Sequence, residues 1–158
     1  MTLAVSTALV VLILDQLTKL LALEGLALGV PVRVVDGFFS LTLVMNPGLA
    51  FGMLSSMPTA WRWVAAGLSM ATLAVLTVVG ARLLPSGGWM TRLALGLIVG
   101  GAVGNLVDRG RFGAVTDFLD VYWRGYHWPA FNVADSAISV GVALLALRIL
   151  WPAASPHR

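Results

Sequence analysis

The stretch WVAAGLSMATLAVLTVVGA, residues 63–81, runs for 19 residues without a charged side chain. A helix needs roughly 20 apolar residues to cross a bilayer core, so this segment alone is long enough to span one. The whole chain has the same character. Of its 158 residues 59% are hydrophobic and 11% charged, with a mean hydropathy of +0.92. A soluble domain is about one quarter charged and about half apolar. The length suits a single membrane domain, 1–158.

Three more apolar runs accompany it. Leu93–Val107 is uncharged and ends at Asp108 and Arg109; Ser136–Leu147 is uncharged and is followed by Arg148, which can snorkel toward headgroups. Thr2–Leu23 contains Asp15 and Lys19 at i and i+4, acid first, the favourable order for an intrahelical ion pair. Residues 1–23 lack a basic n-region and an A-x-A site, and charges interrupt the run, so they do not read as a cleaved signal peptide. The pattern predicts an all-α membrane protein, a four-transmembrane-helix bundle with spans at about 2–23, 61–84, 90–107 and 134–152. Trp61, Trp63, Trp89 and Trp151 fall at span ends, as in an interfacial belt.

An even number of spans puts both termini on one side and loops 24–60 and 108–133 together on the other. Cation placement does not choose the orientation: Arg82, Arg92, Arg148 and Arg158 on the terminal side balance Arg33, Arg62, Arg109, Arg111 and Arg124 on the loop side. Within the first loop, VRVVDGFFSLTLVMN (32–46) has two β-rich runs around Asp36-Gly37, a pair favoured in type I′ hairpins. A small β-sheet at the membrane surface is expected there. Cysteine is absent, which removes disulfides, thiolate nucleophiles and Cys-ligated metals. The net charge of +3 comes from scattered cations rather than a basic tract, so nucleic acid is not an expected partner.

Ionisable groups at membrane depth are costly and therefore functional candidates. Five motifs collect the polar residues: DQLTK (15–19), NPGLAFG (46–52), GNLVDRG (104–110), VTDF (115–118) and FNVADS (131–136). Several have plain structural readings. Asp15–Lys19 reads as an ion pair, Gly96, Gly100 and Gly104 as a helix-packing face, and Asn132 as the N-cap of the last helix. Asp108 with Arg109 and Arg111 reads as a charge-neutralised helix end. Asp120 reads as solvated and His127 as interfacial. Asp117 and Asp135 fit such readings less well, because neither has a cation within four residues. Two carboxylates about 4 Å apart repel by roughly 4 kcal/mol at an effective dielectric near 20. If the fold juxtaposes them, they hold one proton between them at neutral pH, as in an aspartic-protease dyad. A proton-coupled small transporter using Asp15, Asp108 and Asp135 is the alternative, and a non-catalytic scaffold or lipid-binding membrane protein, its motif residues serving only packing, is a third reading. Four spans without an inverted repeat suit the transporter poorly.

In this order, from Asp15 to Ser136, the five motifs resemble the lipoprotein signal peptidase (signal peptidase II) family. The resemblance implies that Asp117 and Asp135 are the catalytic pair of an intramembrane aspartyl endopeptidase. It implies supporting or substrate-binding roles for Asp15, Lys19, Asn46, Gly48, Asn105, Asp108, Arg109 and Asn132, with no metal and no cofactor. The implied substrate is a bacterial prolipoprotein whose Cys carries diacylglycerol, cut before that Cys. Substrate and membrane lipids are the expected partners, and the chain is expected to act as a monomer. The implied location is the inner membrane, with cytoplasmic termini, the site at the outer face, and the first-loop sheet as an extracytoplasmic cradle.

Overall fold

The computed structural model describes residues 1–47, Val78, Arg82 and residues 88–150. The expected span 61–84 therefore lies outside the described residues except for Val78 and Arg82, as does Gly48. The described elements are α1 (Thr2–Gly25), β1 (Val32–Val35), β2 (Phe39–Asn46), α2 (Trp89–Phe112), β3 (Val115–Trp123), β4 (Tyr126–His127) and α3 (Val133–Leu150). Among the described residues, α1 and α2 are long and apolar enough to cross a membrane.

Helix α2 packs against both α1 and α3, and glycine makes the close approach possible. A Cβ on Gly96 would lie 2.6 Å from the Ala4 carbonyl oxygen, and one on Gly100 would lie 2.6 Å from that of Ala8. Gly104 faces the Asp15 carboxylate. On the other side of α2, Gly101 lies against Ala134, and Gly141 of α3 returns the contact against Ala94. Helices in lipid gain little from apolar burial alone, so such small-residue contacts supply the packing that holds them together. The expected glycine face is therefore the α1–α2 interface.

The structure corrects the α2 boundary. Asp108 does not end the span: the helix continues to Phe112 and stops at Gly113, whose φ of 66° allows its N–H to reach the Arg109 carbonyl at 3.0 Å. A left-handed glycine just past the helix is the usual terminator, and Arg109 and Arg111 occupy the last turn, where cations oppose the negative end of the dipole.

The two loops cooperate in one antiparallel sheet, ordered β1-β2-β3-β4, so the all-α expectation was too simple and the sheet is not confined to the first loop. Strand β3 pairs with β2 over Phe39↔Val121 to Asn46↔Val115, interrupted by a register shift between Leu41 and Val44. The β1–β2 turn forms at Asp36-Gly37, yet only Gly37 takes a positive φ (77°), so the turn is not type I′, which requires two. A small apolar joint fastens the sheet to the bundle. Ala22 of α1, Leu43 of β2 and Phe118 of β3 are buried together, with Leu23, Leu41, Leu119 and Val133 packed around them.

Below that joint lies a buried charge cluster. Lys19 pairs with Asp15 at 2.9 Å, as the i, i+4 spacing predicted, but it also reaches Asp108 of α2 at 3.2 Å. All three side chains are at most 2% exposed. Asp108 therefore does not pair with Arg109, contrary to expectation. Its Oδ2 also accepts the Thr116 N–H at 2.9 Å, which pins the start of β3 to α2. Asp15 Oδ1 accepts the N–H of Ala134 in the first turn of α3 at 3.0 Å. Gln16 Nε2 lies 3.2 Å from Asp15 Oδ2, the Gly104 carbonyl and Asp108 Oδ1. One lysine thus ties together three helices and the sheet.

Removing one partner of a buried ion pair leaves the other charge uncompensated, which costs about 3–5 kcal/mol. Lys19→Met should therefore sharply lower the unfolding midpoint in detergent micelles; an unchanged midpoint would show that the cluster carries no stability. Glycine contacts give a second expectation. Gly100→Val should destabilise by about 1–3 kcal/mol through overpacking. Gly110→Ala, where a Cβ meets nothing within 4 Å, should be neutral or stabilise by about 0.5–1 kcal/mol. Equal effects of the two substitutions in the same unfolding experiment would contradict the packing assignment.

Candidate active site

Strand β3 enters through the Asp108–Thr116 bond, which places Asp117 next to the bundle. The Asp117 side chain is 1% exposed. Its Oδ2 accepts the Asn46 Nδ2–H of the neighbouring strand at 3.0 Å, and its Oδ1 accepts Asn132 Nδ2–H at 2.7 Å. Asn132 is fully buried at the entrance to α3, where it is the N-cap, as expected. Its Oδ1 accepts the Asp135 N–H at 2.9 Å, and its own N–H donates back to Asp135 Oδ2 at 3.3 Å. This reciprocal exchange is a capping box, which sets the chain direction at the helix start and the position of the third-residue carboxylate. Asp135 is partly exposed, so one of the two carboxylates remains open to solvent or ligand.

Asp135 Oδ1 also accepts Asn105 Nδ2–H at 2.7 Å. The orientation of that amide follows from its other neighbours. Lys19 Nζ, which can only donate, lies 2.9 Å from Asn105 Oδ1, and Asn132 Nδ2 lies 3.1 Å from the same atom. Asn105 must therefore turn its NH₂ toward Asp135. The lysine at the centre of the bundle thereby fixes a donor aimed at a carboxylate it does not itself touch.

The structure thus brings Asp117 and Asp135 together through Asn132, which contacts both, with Asn46 and Asn105 on the outer sides. Asp15, Lys19 and Asp108 lie one layer below, in the ion cluster. Arg109 is near both layers without a direct hydrogen bond to an aspartate. One of its terminal nitrogens donates to the Asn105 carbonyl at 3.3 Å, and its buried Nε has no partner among the described residues. Burial pushes the Asp117 carboxyl up to about 7. The Asn46 hydrogen bond opposes this, the Asp135 charge adds to it, and the Asn132 bond and the Lys19 charge oppose it. A carboxyl group that holds its proton near neutrality beside a second carboxylate can act as an acid while its neighbour acts as a base.

One expectation for the second loop requires correction. Asp120 is not solvated. It is buried and accepts Ser40 Oγ at 2.9 Å and Thr42 Oγ1 at 3.2 Å, and its other oxygen lies 2.8 Å from His127 Nδ1. His127 thus has a partner on the neighbouring strand, and it also stacks on Tyr122 with ring centroids 4.9 Å apart. This pairing separates Asp120 and His127 from Asp117 and Asp135, and among the described residues no group of three or more acidic or His side chains is placed to hold a metal ion. Gln16 and Thr116 were not foreseen as parts of the network. Both left a sequence signal: Gln16 stands beside Asp15 in DQLTK and three residues before Lys19, and Thr116 stands beside Asp117 in VTDF.

The family model described as signal peptidase (SPase) II matches residues 7–151. The lipoprotein signal peptidase of Geobacter metallireducens is 48% identical over 139 residues, covering 88% of this chain and 85% of the relative. That of Syntrophus aciditrophicus is 44% identical over 147 residues, covering 91% and 89%, and that of Symbiobacterium thermophilum 44% over 149 residues, covering 94% of each. Two solved bacterial membrane enzymes share the fold. One has a TM-score of 0.74 at 28% identity, covering 98% of this chain and 92% of that one. The other has a TM-score of 0.76 at 26% identity, covering 94% and 93%. With a buried aspartate on β3 joined through Asn132 to the aspartate that opens α3, and with this similarity along nearly its whole length, the chain belongs to the signal peptidase II family.

Proposed function

We propose that this chain is an aspartic endopeptidase that cuts diacylglyceryl-modified prolipoproteins before the lipidated Cys, with Asp117 and Asp135 as the catalytic pair. The observation that carries the assignment is Asn132. One buried side chain donates to Asp117 and caps the helix turn that bears Asp135, so the two carboxylates are positioned by a single group. In the reaction the ionised carboxylate takes a proton from water, whose oxygen attacks the scissile carbonyl carbon. The protonated carboxyl hydrogen-bonds the carbonyl oxygen and stabilises the developing negative charge. The tetrahedral intermediate then collapses, the C–N bond breaks, and the pair returns a proton to the leaving amine.

The proposal extends to the layout. A single domain spans residues 1–158, four helices cross the inner membrane, and both termini are cytoplasmic. The site and the sheet then face outward, where a substrate can leave its acyl chains in the lipid and present its peptide at the membrane edge. Asp15, Lys19, Asn46, Gly48, Asn105, Asp108, Arg109 and Asn132 support the pair or the substrate, and the enzyme works as a monomer without metal. The transporter alternative has no support from the family found.

Purified Asp117→Asn and Asp135→Asn enzymes should fold, bind a lipidated prolipoprotein peptide and fail to cut it, because Asn keeps the shape but cannot exchange the proton. Asp108→Asn should instead lose folded yield first, since Lys19 would lose a counter-charge. Normal turnover by Asp117→Asn, with a stable but dead Asp108→Asn, would move the catalytic role to Asp108.

The pH dependence has a definite sign. The pair is active when it holds one proton, so the cleavage rate should be bell-shaped and should fall as pH rises through about 7, where Asp117 loses its proton. The two limbs report apparent values of the pair rather than of single residues. Stability follows the same group. With a folded-state value above the unfolded one, ionisation of Asp117 opposes folding, and this penalty grows from about 4 upward until it is complete above about 7. The unfolding temperature of Asp117→Asn relative to the native chain should therefore rise between pH 5 and pH 8. A difference that falls or stays level over that interval would contradict the assignment.

A further inference from the structure

The far end of the sheet carries a cluster that the proposed chemistry does not use. At the β3–β4 hairpin, Trp123, Tyr126 and Trp128 are 63%, 84% and 68% exposed. Arg124 occupies the turn with a φ of 50° and lies over the Trp123 ring at 5.9 Å. Phe38, also exposed, stands beside them, because the Tyr122 N–H donates to the Phe38 carbonyl at 2.8 Å and brings the β1–β2 turn to the same end. Leaving four large aromatic rings in water is costly.

The hairpin is built to hold these rings out rather than fold them in. Its base is braced by the His127–Asp120 pair at 2.8 Å, by the His127–Tyr122 stack, and by the Trp128 N–H donating to the Val121 carbonyl at 2.8 Å. Ser40 and Thr42 fix Asp120 from the neighbouring strand. Continuity with the bundle supplies the occupant. Only four residues separate Trp128 from Val133, where α3 begins, and the five residue steps cover at most about 18 Å when fully extended. The tip is therefore tethered near the end of a helix bundle whose outer faces are apolar. Phe112, the last residue of α2, repeats the chemistry with Arg111 over its ring at 4.8 Å. Trp and Tyr beside Arg are the side chains that suit a headgroup layer, with rings at its apolar edge and guanidinium groups on phosphate.

We propose that the tip of the β3–β4 hairpin, through Trp123, Arg124, Tyr126 and Trp128, docks into the headgroup layer of the bilayer that α1 and α2 cross. Asp117 and the tip lie on the same strand, so this contact fixes the height of Asp117 relative to the lipid surface. The docking itself does not depend on the assigned chemistry, and its test is a measurement of depth rather than of activity.

The chain has no cysteine, so single nitroxide labels can be placed without background. Tyr126→Cys and Trp128→Cys, each labelled in the full-length protein in nanodiscs of mixed zwitterionic and anionic lipid, are compared with Leu14→Cys on the exposed face of α1 and with a free aqueous nitroxide. Power saturation should give both hairpin labels an oxygen-to-nickel-chelate accessibility ratio several-fold above the aqueous reference and below that of Leu14→Cys. Ratios equal to the aqueous reference would overturn the proposal. So would dipolar broadening between labels, which would mean that a second copy covers the tip. Should the labelled variants fold poorly, Trp123→Phe and Trp128→Phe in lipid brominated near the headgroup provide an independent readout. Each should remove a quenched component of the tryptophan emission, and loss of an unquenched component would count against docking.

Discussion

The structure depends on neutralising one buried ammonium. Lys19 lies almost wholly out of solvent, and removing an ion from water costs several kcal/mol even after the protein relaxes. Asp15 and Asp108 supply two carboxylates for one cation, so the cluster carries an excess negative charge that neutral donors must absorb. The Thr116 and Ala134 N–H groups and the Gln16 amide do so. Those donors belong to β3, α3 and α1. Satisfying the ion therefore draws the sheet and the third helix to the α1–α2 contact, and the fold and the charge cluster form together.

The same requirement reaches the site through Asn105. Lys19 claims the amide oxygen, which leaves the amide nitrogen to donate to Asp135. The hydrogen bonds described to Asp117 and Asp135 all come from neutral amides, from Asn46, Asn105 and Asn132 and from the peptide nitrogen of Asn132. The choice of donor has a chemical consequence. A bonded guanidinium or ammonium would stabilise both carboxylates as anions and displace the proton the reaction needs. An amide fixes the position of a carboxylate with much less bias toward its charged form. Arg109 is close enough to offset part of the negative charge, but it directs its nearest hydrogen bond to a carbonyl.

Sequence made some of this legible and hid the rest for physical reasons. The Asp15–Lys19 pair, the glycine stripe of α2 and the capping role of Asn132 depend on contacts governed by helical periodicity, and each could be read from spacing. The partner of Asp108 could not. Its sequence neighbours Arg109 and Arg111 are cations, whereas the cation it binds is on another helix and is placed there by packing. Asp120 was misread for a similar reason, because its partners lie across two strand pairings. The β-rich run that holds Ser40 and Thr42 marked a strand but not the buried acid behind it. Gly37 shows a subtler limit: Asp-Gly marked the turn correctly, while the register of β1 on β2 selected a turn with one left-handed residue rather than two.

The central claim is that Asp117 and Asp135 share a proton within a frame of amides. Infrared difference spectroscopy on protein carrying isotope-labelled aspartate observes that proton directly through the carbonyl stretch of a protonated carboxyl group. The account predicts such a band at mildly acidic pH, titrating away as pH rises through about 7, and loss of the component that titrates there from Asp117→Asn, which lacks the carboxyl group that holds the proton. A native spectrum with no protonated aspartate band, or a band that persists unchanged in Asp117→Asn, would contradict it.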